Sequence, residues 1–407
     1  MKSSSDEAPP DYAEKKEPYQ QGYRWVILAL LCLAYFAFVV IARCISPLVT
    51  PILEDLNISY SQMGMILGSW QLTYIVVAII AGTIIDRLGL RKALFVGIAI
   101  VGLSGILRYF PEGFTALLLA VALFGIGGPM ISIGCPKAVS QWFHGKERGI
   151  AIGWYSTGSR LGGLFALAAT NSLVMPMTGY SWRLTFVYYG LMTIAVALLW
   201  LFFAREKRSS DDTASAGVRE VFLKLIKVRD VRIILIIGFL YFAANHGFVN
   251  WLPNILEAGG MTPSQAGFAA SLPVLVGLPT ILIVPRLIPS HLRGRFTALF
   301  TFVSAIAIVL TVTTSGASLF AGLVIYGVIS SPLIPMLMLI LMDIPEVGSA
   351  YMGSAGGMFF CVAEIGGFAA PLIMGVLVDV TQSFLSGTVL LAVFCLIISV
   401  MALLMKT

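Results

Sequence analysis

The chain has 407 residues, of which 58% are hydrophobic and only 11% charged, with a formal net charge of +6. A soluble globular chain is about half apolar and a quarter charged, so this composition excludes a soluble domain and indicates an all-α polytopic membrane protein. The positive balance does not argue for nucleic acid as a partner, because surplus Lys and Arg in such a chain gather in cytoplasmic loops.

Residues 1–22 are polar, rich in Ser, Pro and charge, and lack the apolar core of a signal peptide. They are expected to form a disordered cytoplasmic tail. A bilayer helix needs about 20 apolar residues. Twelve such segments are predicted, at about 25–49, 61–84, 93–110, 114–140, 148–174, 183–203, 231–256, 264–286, 296–314, 318–341, 349–376 and 384–405. With the N-terminus inside, the inner segments hold 22 of the 26 Lys and Arg. That asymmetry places both termini in the cytoplasm. Arg108 and Arg183 fall at outer ends, and Arg43 and Arg160 fall within helices.

The longest polar interruption runs from Arg205 to Arg232. It divides the chain into an N-terminal six-helix bundle (23–204), a cytoplasmic linker (205–230) and a C-terminal six-helix bundle (231–407). Residues 218–228 are expected to form a short amphipathic helix on the inner face. Each half places a basic turn between its second and third helices, at Gly82–Lys92 and at Pro285–Arg295. The correspondence predicts an internal duplication with a pseudo-twofold relation.

The five cysteines, Cys32, Cys44, Cys135, Cys361 and Cys395, lie in apolar runs without metal-ligand spacing and are expected to be free thiols. No metal or cofactor is predicted. Three histidines without a paired metal motif argue against an intramembrane enzyme.

The turn with Gly82, Asp86, Arg87, Gly89, Arg91 and Lys92 matches, at every main position, the signature of the major facilitator superfamily between helices 2 and 3. The connection Pro136–Gly153, the stretch Trp251–Gly267 and the run Gly366–Asp379 also resemble that family, and the likeness covers about residues 22–405. The first hairpin, Arg43–Gly64, looks like that of small organic-anion carriers: the anion:cation symporter, cyanate-permease and monocarboxylate or oxalate types. A haem/choline carrier group shares the hairpin style. The second basic turn departs from the pattern, lacking an Asp opposite Asp86.

The resemblance implies a secondary active transporter, a monomer in the plasma (inner) membrane. It would move a small organic anion of carboxylate type by alternating access, with proton symport the preferred coupling. An exchanger or uniporter, or a carrier of a cationic or amphiphilic metabolite, is the alternative. It also implies that Asp86 sits by the N-terminus of helix 11, that Arg87, Arg91 and Lys92 brace helices 4 and 11, and that this latch holds the outward-facing state.

Charge inside the hydrocarbon region costs about 3 kcal/mol or more, which makes intramembrane ionisable residues candidates by default. Arg43 lies about 27 Å along helix 1 and suits a bidentate carboxylate clamp, against the alternative of snorkelling to the outer interface. Arg160 lies roughly 18 Å deep in helix 5, amid small residues, and serves a ligand or a structural pair with Glu364. Glu364 in helix 11 is a coupling candidate, or one side of a static ion pair. His246, with Tyr241, Asn245 and Asn250, makes helix 7 polar at mid-membrane and is a candidate for ligand contact and coupling. Tyr35 and Tyr74 complete the predicted substrate site. Lys137 near the inner end of helix 4 attracts anions or simply snorkels. Gln71, Trp154, Tyr155, Asn171 and Tyr326 are secondary candidates, since aromatic residues in such chains mostly pack.

Overall fold

The computed structural model describes residues 18–205 and 223–405. In chain order the helices are α1 (Pro18–Arg43), α2 (Val49–Leu56), α3 (Tyr60–Leu88), α4 (Leu90–Leu107), α5 (Phe114–Trp142), α6 (Lys146–Ala169), α7 (Trp182–Phe203), α8 (Arg229–Ala258), α9 (Pro263–Leu287), α10 (Arg293–Thr313), α11 (Gly316–Ser330), α12 (Leu333–Asp343), α13 (Gly348–Thr381) and α14 (Phe384–Leu403), joined by short turns. Eleven helical stretches among the described residues are long and apolar enough to cross a membrane. The 24-residue α6 is not one of them, because Arg160 and the small polar residues around it dilute its hydropathy.

Two predicted spans are interrupted. The segment expected as one helix over 25–49 stops at Arg43, then continues through a 3-10 turn at Ser46–Leu48 into α2. Pro47 and Pro51 lack the amide hydrogen that would carry the ladder through. The segment expected over 318–341 breaks at Ser331 and Pro332. The predicted tail and linker fall largely outside the described residues, although residues 18–22 already belong to α1. Of the expected amphipathic helix at 218–228, only residues 223–225 are helical within the described part.

Two helices begin in the same way. Ser59 accepts from the Gln62 backbone amide while the Gln62 side chain accepts from the Ser59 amide, a capping box that starts α3. Thr262 and Gln265 form the same box at the start of α9. Each box runs into a glycine two residues on, Gly64 or Gly267, and each glycine meets a helix from the other half of the sequence. Gly64 lies against the Pro371 carbonyl and Gly68 against that of Phe368; Gly375 reciprocates against Tyr60. Gly267 lies against the Leu167 carbonyl. No side chain fits at these points, so α3 and α13, and α6 and α9, approach backbone to backbone.

Polar contacts reinforce the same end of the molecule. Asp379 accepts from the free backbone amides of Tyr60 at 2.9 Å and Ser61 at 2.8 Å, where the positive end of α3 favours a carboxylate. Asn171, in a π-helical turn at Thr170–Val174, donates to the carbonyls of Pro47 at 2.9 Å and Pro263 at 3.3 Å, while Ser264 Oγ donates to the Asn171 carbonyl at 3.2 Å. Thr50 donates to Glu257 at 2.6 Å.

Towards the opposite end, which carries the α3–α4 turn, these helices separate. Gly353 and Gly357 on α13, and Gly149 and Gly153 on α6, have nothing within 4 Å where a side chain would stand. The result is a cleft, closed at the Asp379 end and open at the Gly82 end.

The basic turns flank that opening. Gly89 takes φ of 80°, which lets α3 reverse into α4 within one residue. Asp86 forms an ion pair with Lys137 of α5, not with the start of α13. Arg91 donates to the Leu201 carbonyl at the C-terminal end of α7, and Trp200 donates back to the Arg91 carbonyl at 3.0 Å. The bracing expected on helices 4 and 11 therefore goes, for Arg91, to α7, whose free carbonyls attract a cation. In the second half Arg293 of the turn pairs with Asp343 at the end of α12. The missing acid of the second turn is supplied by a neighbouring helix, with the polarity reversed relative to Asp86–Lys137.

Candidate functional site

The break after α1 aims Arg43 into the cleft. Ending α1 at Arg43 leaves carbonyls without amide partners. The Ile41 carbonyl takes its donor from Arg108 at 3.0 Å, a side chain only 1% exposed that also lies 3.4 Å from Ser104 Oγ and 5.3 Å from the Phe186 ring centroid. Arg108, placed at an outer helix end by the sequence, is buried at the C-terminal end of α4, where it supports the break. Nothing in its sequence context marks that role.

Arg43 then donates through Nη1 to Asn250 Oδ1 at 3.0 Å. Ser46, in the 3-10 turn, donates to the Asn250 carbonyl, so the break is fastened to α8 from two sides. Arg160 faces the same space from α6. Its charge reaches Arg43 and the Tyr241 hydroxyl, yet it makes no hydrogen bond or ion pair among the described residues.

Opposite the arginines stands Glu364 on α13, 8% exposed, with Oε2 buried and unpartnered. Arg43 is within electrostatic range of it, but Glu364 enters none of the four ion pairs formed among the described residues. The structural pair between Arg160 and Glu364 is thus not formed. Gln71 from α3, fully buried, donates through Nε2 to the Gly367 carbonyl at 3.4 Å and lies 3.3 Å from His246 Nδ1. Its Oε1 has no partner. A side chain at Gly367 would meet Glu364 Oε2, His246 Cδ2 and Gln71 Nε2 at 3.1, 3.4 and 3.5 Å, so three polar groups converge on this one glycine. The His246 ring stacks on Phe242 at 5.4 Å, with Trp70 at 6.3 Å.

The other predicted residues form the surrounding layer. Asn245 donates to the Tyr326 hydroxyl at 3.0 Å, and Tyr241 donates to the Ser330 carbonyl at 2.9 Å. The Tyr74 hydroxyl lies 2.6 Å from Ser132 Oγ and is within electrostatic range of Glu364. Tyr35 packs on Tyr155 and Phe38 at 5.4 and 5.8 Å. Lys137 is drawn to Asp86 at the mouth, Asn171 works at the closed end, and Trp154 is exposed in an apolar groove with Trp25 and Leu28. Sequence reasoning passed over Asp379 and Ser46. The repeated S/T-x-S-Q-x-G at Ser59 and Thr262 was the available signal for the closed end.

The site therefore joins two guanidinium groups that lack carboxylate partners to an acceptor end formed by Glu364 and Gln71. Among the described residues no cluster of His, Cys, Asp and Glu is placed to hold a metal ion.

Comparison with known proteins agrees with the fold. The chain is 26% identical to the hexuronate transporter of Bacillus subtilis (strain 168) over 362 residues, covering 83% of this chain and 84% of that protein. It is 24% identical to the probable sulfoacetate transporter SauU of Cupriavidus necator over 388 residues, covering 89% of each. Among solved structures, a bacterial homolog of the human lysosomal transporter Spinster, inward-facing and unoccupied, superimposes with a TM-score of 0.78 at 18% identity, covering 96% of this chain and 97% of that one. The family model of the Major Facilitator Superfamily matches residues 31–371. Together with the apolar helices and the cleft between them, this match makes the chain a membrane transporter of the Major Facilitator Superfamily, and not an enzyme.

Proposed function

We propose that this transporter carries a small organic anion of carboxylate type, bound in the cleft between Arg43 and Arg160, by alternating access. One observation carries the reading: two arginines face one buried space, and neither has a carboxylate within ion-pair distance among the described residues. Buried cations need an anion, and guanidinium groups bind carboxylates bidentately. Relatives named for hexuronate, sulfoacetate and L-galactonate support an acidic, often sugar-derived, substrate.

In this reading α6 is the twelfth span and the chain forms two six-helix bundles, 23–204 and 231–407, around the cleft. Residues 1–22 and 205–230 lie with both termini in the cytoplasm of a cell whose plasma membrane holds the protein as a monomer. The positive bias puts the Gly82 end inside, so the cleft is inward-open. Glu364 and His246 are the coupling groups of a proton symport.

Uptake of a radiolabelled uronate or aldonate into proteoliposomes tests the proposal. Accumulation driven by an inward pH gradient, lost in Arg43→Ala and Arg160→Ala, is the expected result. Uptake that ignores both pH and membrane potential favours a uniporter or exchanger. Binding of choline-like amines in place of carboxylates refutes the anion reading.

A further inference from the structure

The proposed site has a definite charge count. Among the described residues, the cleft groups that bear on its charge near neutral pH are Arg43, Arg160, Glu364 and His246. His246 is counted as neutral: Gln71 Nε2, a donor to the Gly367 carbonyl, also faces Nδ1, a contact that suits an unprotonated Nδ1. Two cations and one carboxylate leave a surplus of one positive charge. The nearby cations do not alter this. Arg108 is spent behind α1 on the Ile41 carbonyl, and Lys137 is neutralised by Asp86 at the mouth.

We propose that Glu364 sets the charge of the substrate: ionised, it matches the site to a monoanion, and protonated, it matches the site to a dianion, which is therefore carried with one proton more. The inference rests on the anion site proposed above. Its basis is geometric. Glu364 Oε2 is buried, faces the shared space at Gly367, and has no hydrogen-bond partner among the described residues, so a proton can be added there without breaking a contact. A dianion bound while Glu364 is ionised would leave one negative charge unbalanced in a low-dielectric cleft. The added proton comes from solvent and sits on the Glu364 carboxylate as a neutral acid; no bond of the substrate changes.

The groups facing Glu364 are few. They are Arg43 from α1, Tyr74 from α3, His246 from α8, and Cys361 one turn earlier on α13 itself. The helix α14, also packed on α13, carries Cys395, which faces Tyr241 and Tyr326 instead. From α12, Asp343 is engaged with Arg293. Tyr74 and Cys361 are neutral acids at physiological pH, and a proton on His246 Nδ1 would break its contact with Gln71, so Glu364 is the group that takes up a proton first, without losing a contact, as the pH falls.

D-Gluconate and D-glucarate form the test pair. They share a six-carbon polyol skeleton, differ by one carboxylate, and are fully ionised above about pH 5. Binding to the purified protein is measured by calorimetry at several pH values. As pH falls, the affinity for glucarate relative to gluconate is expected to rise by up to about tenfold per pH unit, because only the Glu364-protonated fraction accepts the dianion. Glu364→Gln should hold that ratio at its acid-limit value at every pH. Repeating the wild-type titrations in buffers of different ionisation enthalpy counts protons directly, without a variant, and should find about one more taken up with glucarate than with gluconate. Equal proton uptake, or a pH-dependent ratio that survives in Glu364→Gln, overturns the inference. Failure of both anions to bind at any pH would instead overturn the anion site itself.

Discussion

Arg43 and Asn250 meet across the cleft, the guanidinium Nη1 donating to the side-chain carbonyl at 3.0 Å. The contact leaves the rest of the guanidinium free while fixing its direction. A lysine has no planar fork with which to hold Asn250 and a carboxylate together. Arg43→Lys is therefore expected to raise the apparent KM for the anion by about 10- to 100-fold, the range of one charge-assisted hydrogen bond. Asn250→Ala should raise it less, by about 3- to 10-fold, since the charge remains but its aim is lost. Uptake kinetics in proteoliposomes, with folded protein quantified by size-exclusion chromatography, measure both. Equal KM values in wild type and Arg43→Lys would remove Arg43 from the site.

Much of this could be read before the structure was known. Apolar runs of bilayer length, and Arg43, Arg160, His246 and Glu364 inside them, mark the helices and the site because the hydrocarbon region penalises charge so heavily. What could not be read are relations between distant segments. Whether Glu364 pairs with Arg160 depends on a helix-to-helix distance that no spacing encodes. Arg108 and Arg43 each end an apolar run, yet one supports a backbone break and the other faces the cleft. Asp86 pairs with Lys137 here, and its expected place beside the start of α13 belongs to the state in which this end is closed; which end is open is a property of the conformation, not of the residue pattern.

The glycines of α13 predict the motion. Gly64 on α3 touches the Pro371 backbone with no space for a Cβ, whereas Gly357, about four turns along α13, faces open space. Gly64→Ala overpacks the closed seam and should cost about 1–3 kcal/mol, seen as a lower melting temperature. Gly357→Ala should leave stability unchanged or raise it by up to about 1 kcal/mol, from helix propensity alone. If the open ends of α3 and α13 close during the cycle, Gly357→Ala nevertheless slows transport several-fold. A variant that is both stable and fully active would show that this stretch never closes.

Asp379 predicts how the closed end is held. Its carboxylate accepts two backbone amides at the start of α3, where the capping box leaves them exposed. Asp379→Asn keeps the shape but removes the charge from the helix terminus, a loss of about 0.3–1 kcal/mol. The closed end should open more often, by about two- to fivefold. A cysteine at Ser61, labelled by a membrane-impermeant maleimide, should then react faster by that factor. Unchanged labelling would mean that the glycine seam alone closes this end.

Two of the ion pairs at the open end carry the last prediction. In Lys137–Asp86 the side chains are 36% and 64% exposed, so screening leaves the pair worth about 0–1 kcal/mol. Asp86→Asn is accordingly expected to leave the melting temperature within about 2 °C of wild type. The second half uses the reverse order, Arg293 on the turn and Asp343 on the helix. Polarity is thus not essential to bridging a turn to its neighbouring helix, and the exchange Asp86→Lys with Lys137→Asp should be as stable as wild type. Transport separates the remaining roles. If the pair only ties α3 to α5, the exchanged protein transports normally. If Asp86 must leave Lys137 and meet the positive N-terminus of α13 when the cleft closes, a lysine at 86 is repelled there and transport falls about tenfold or more at unchanged stability.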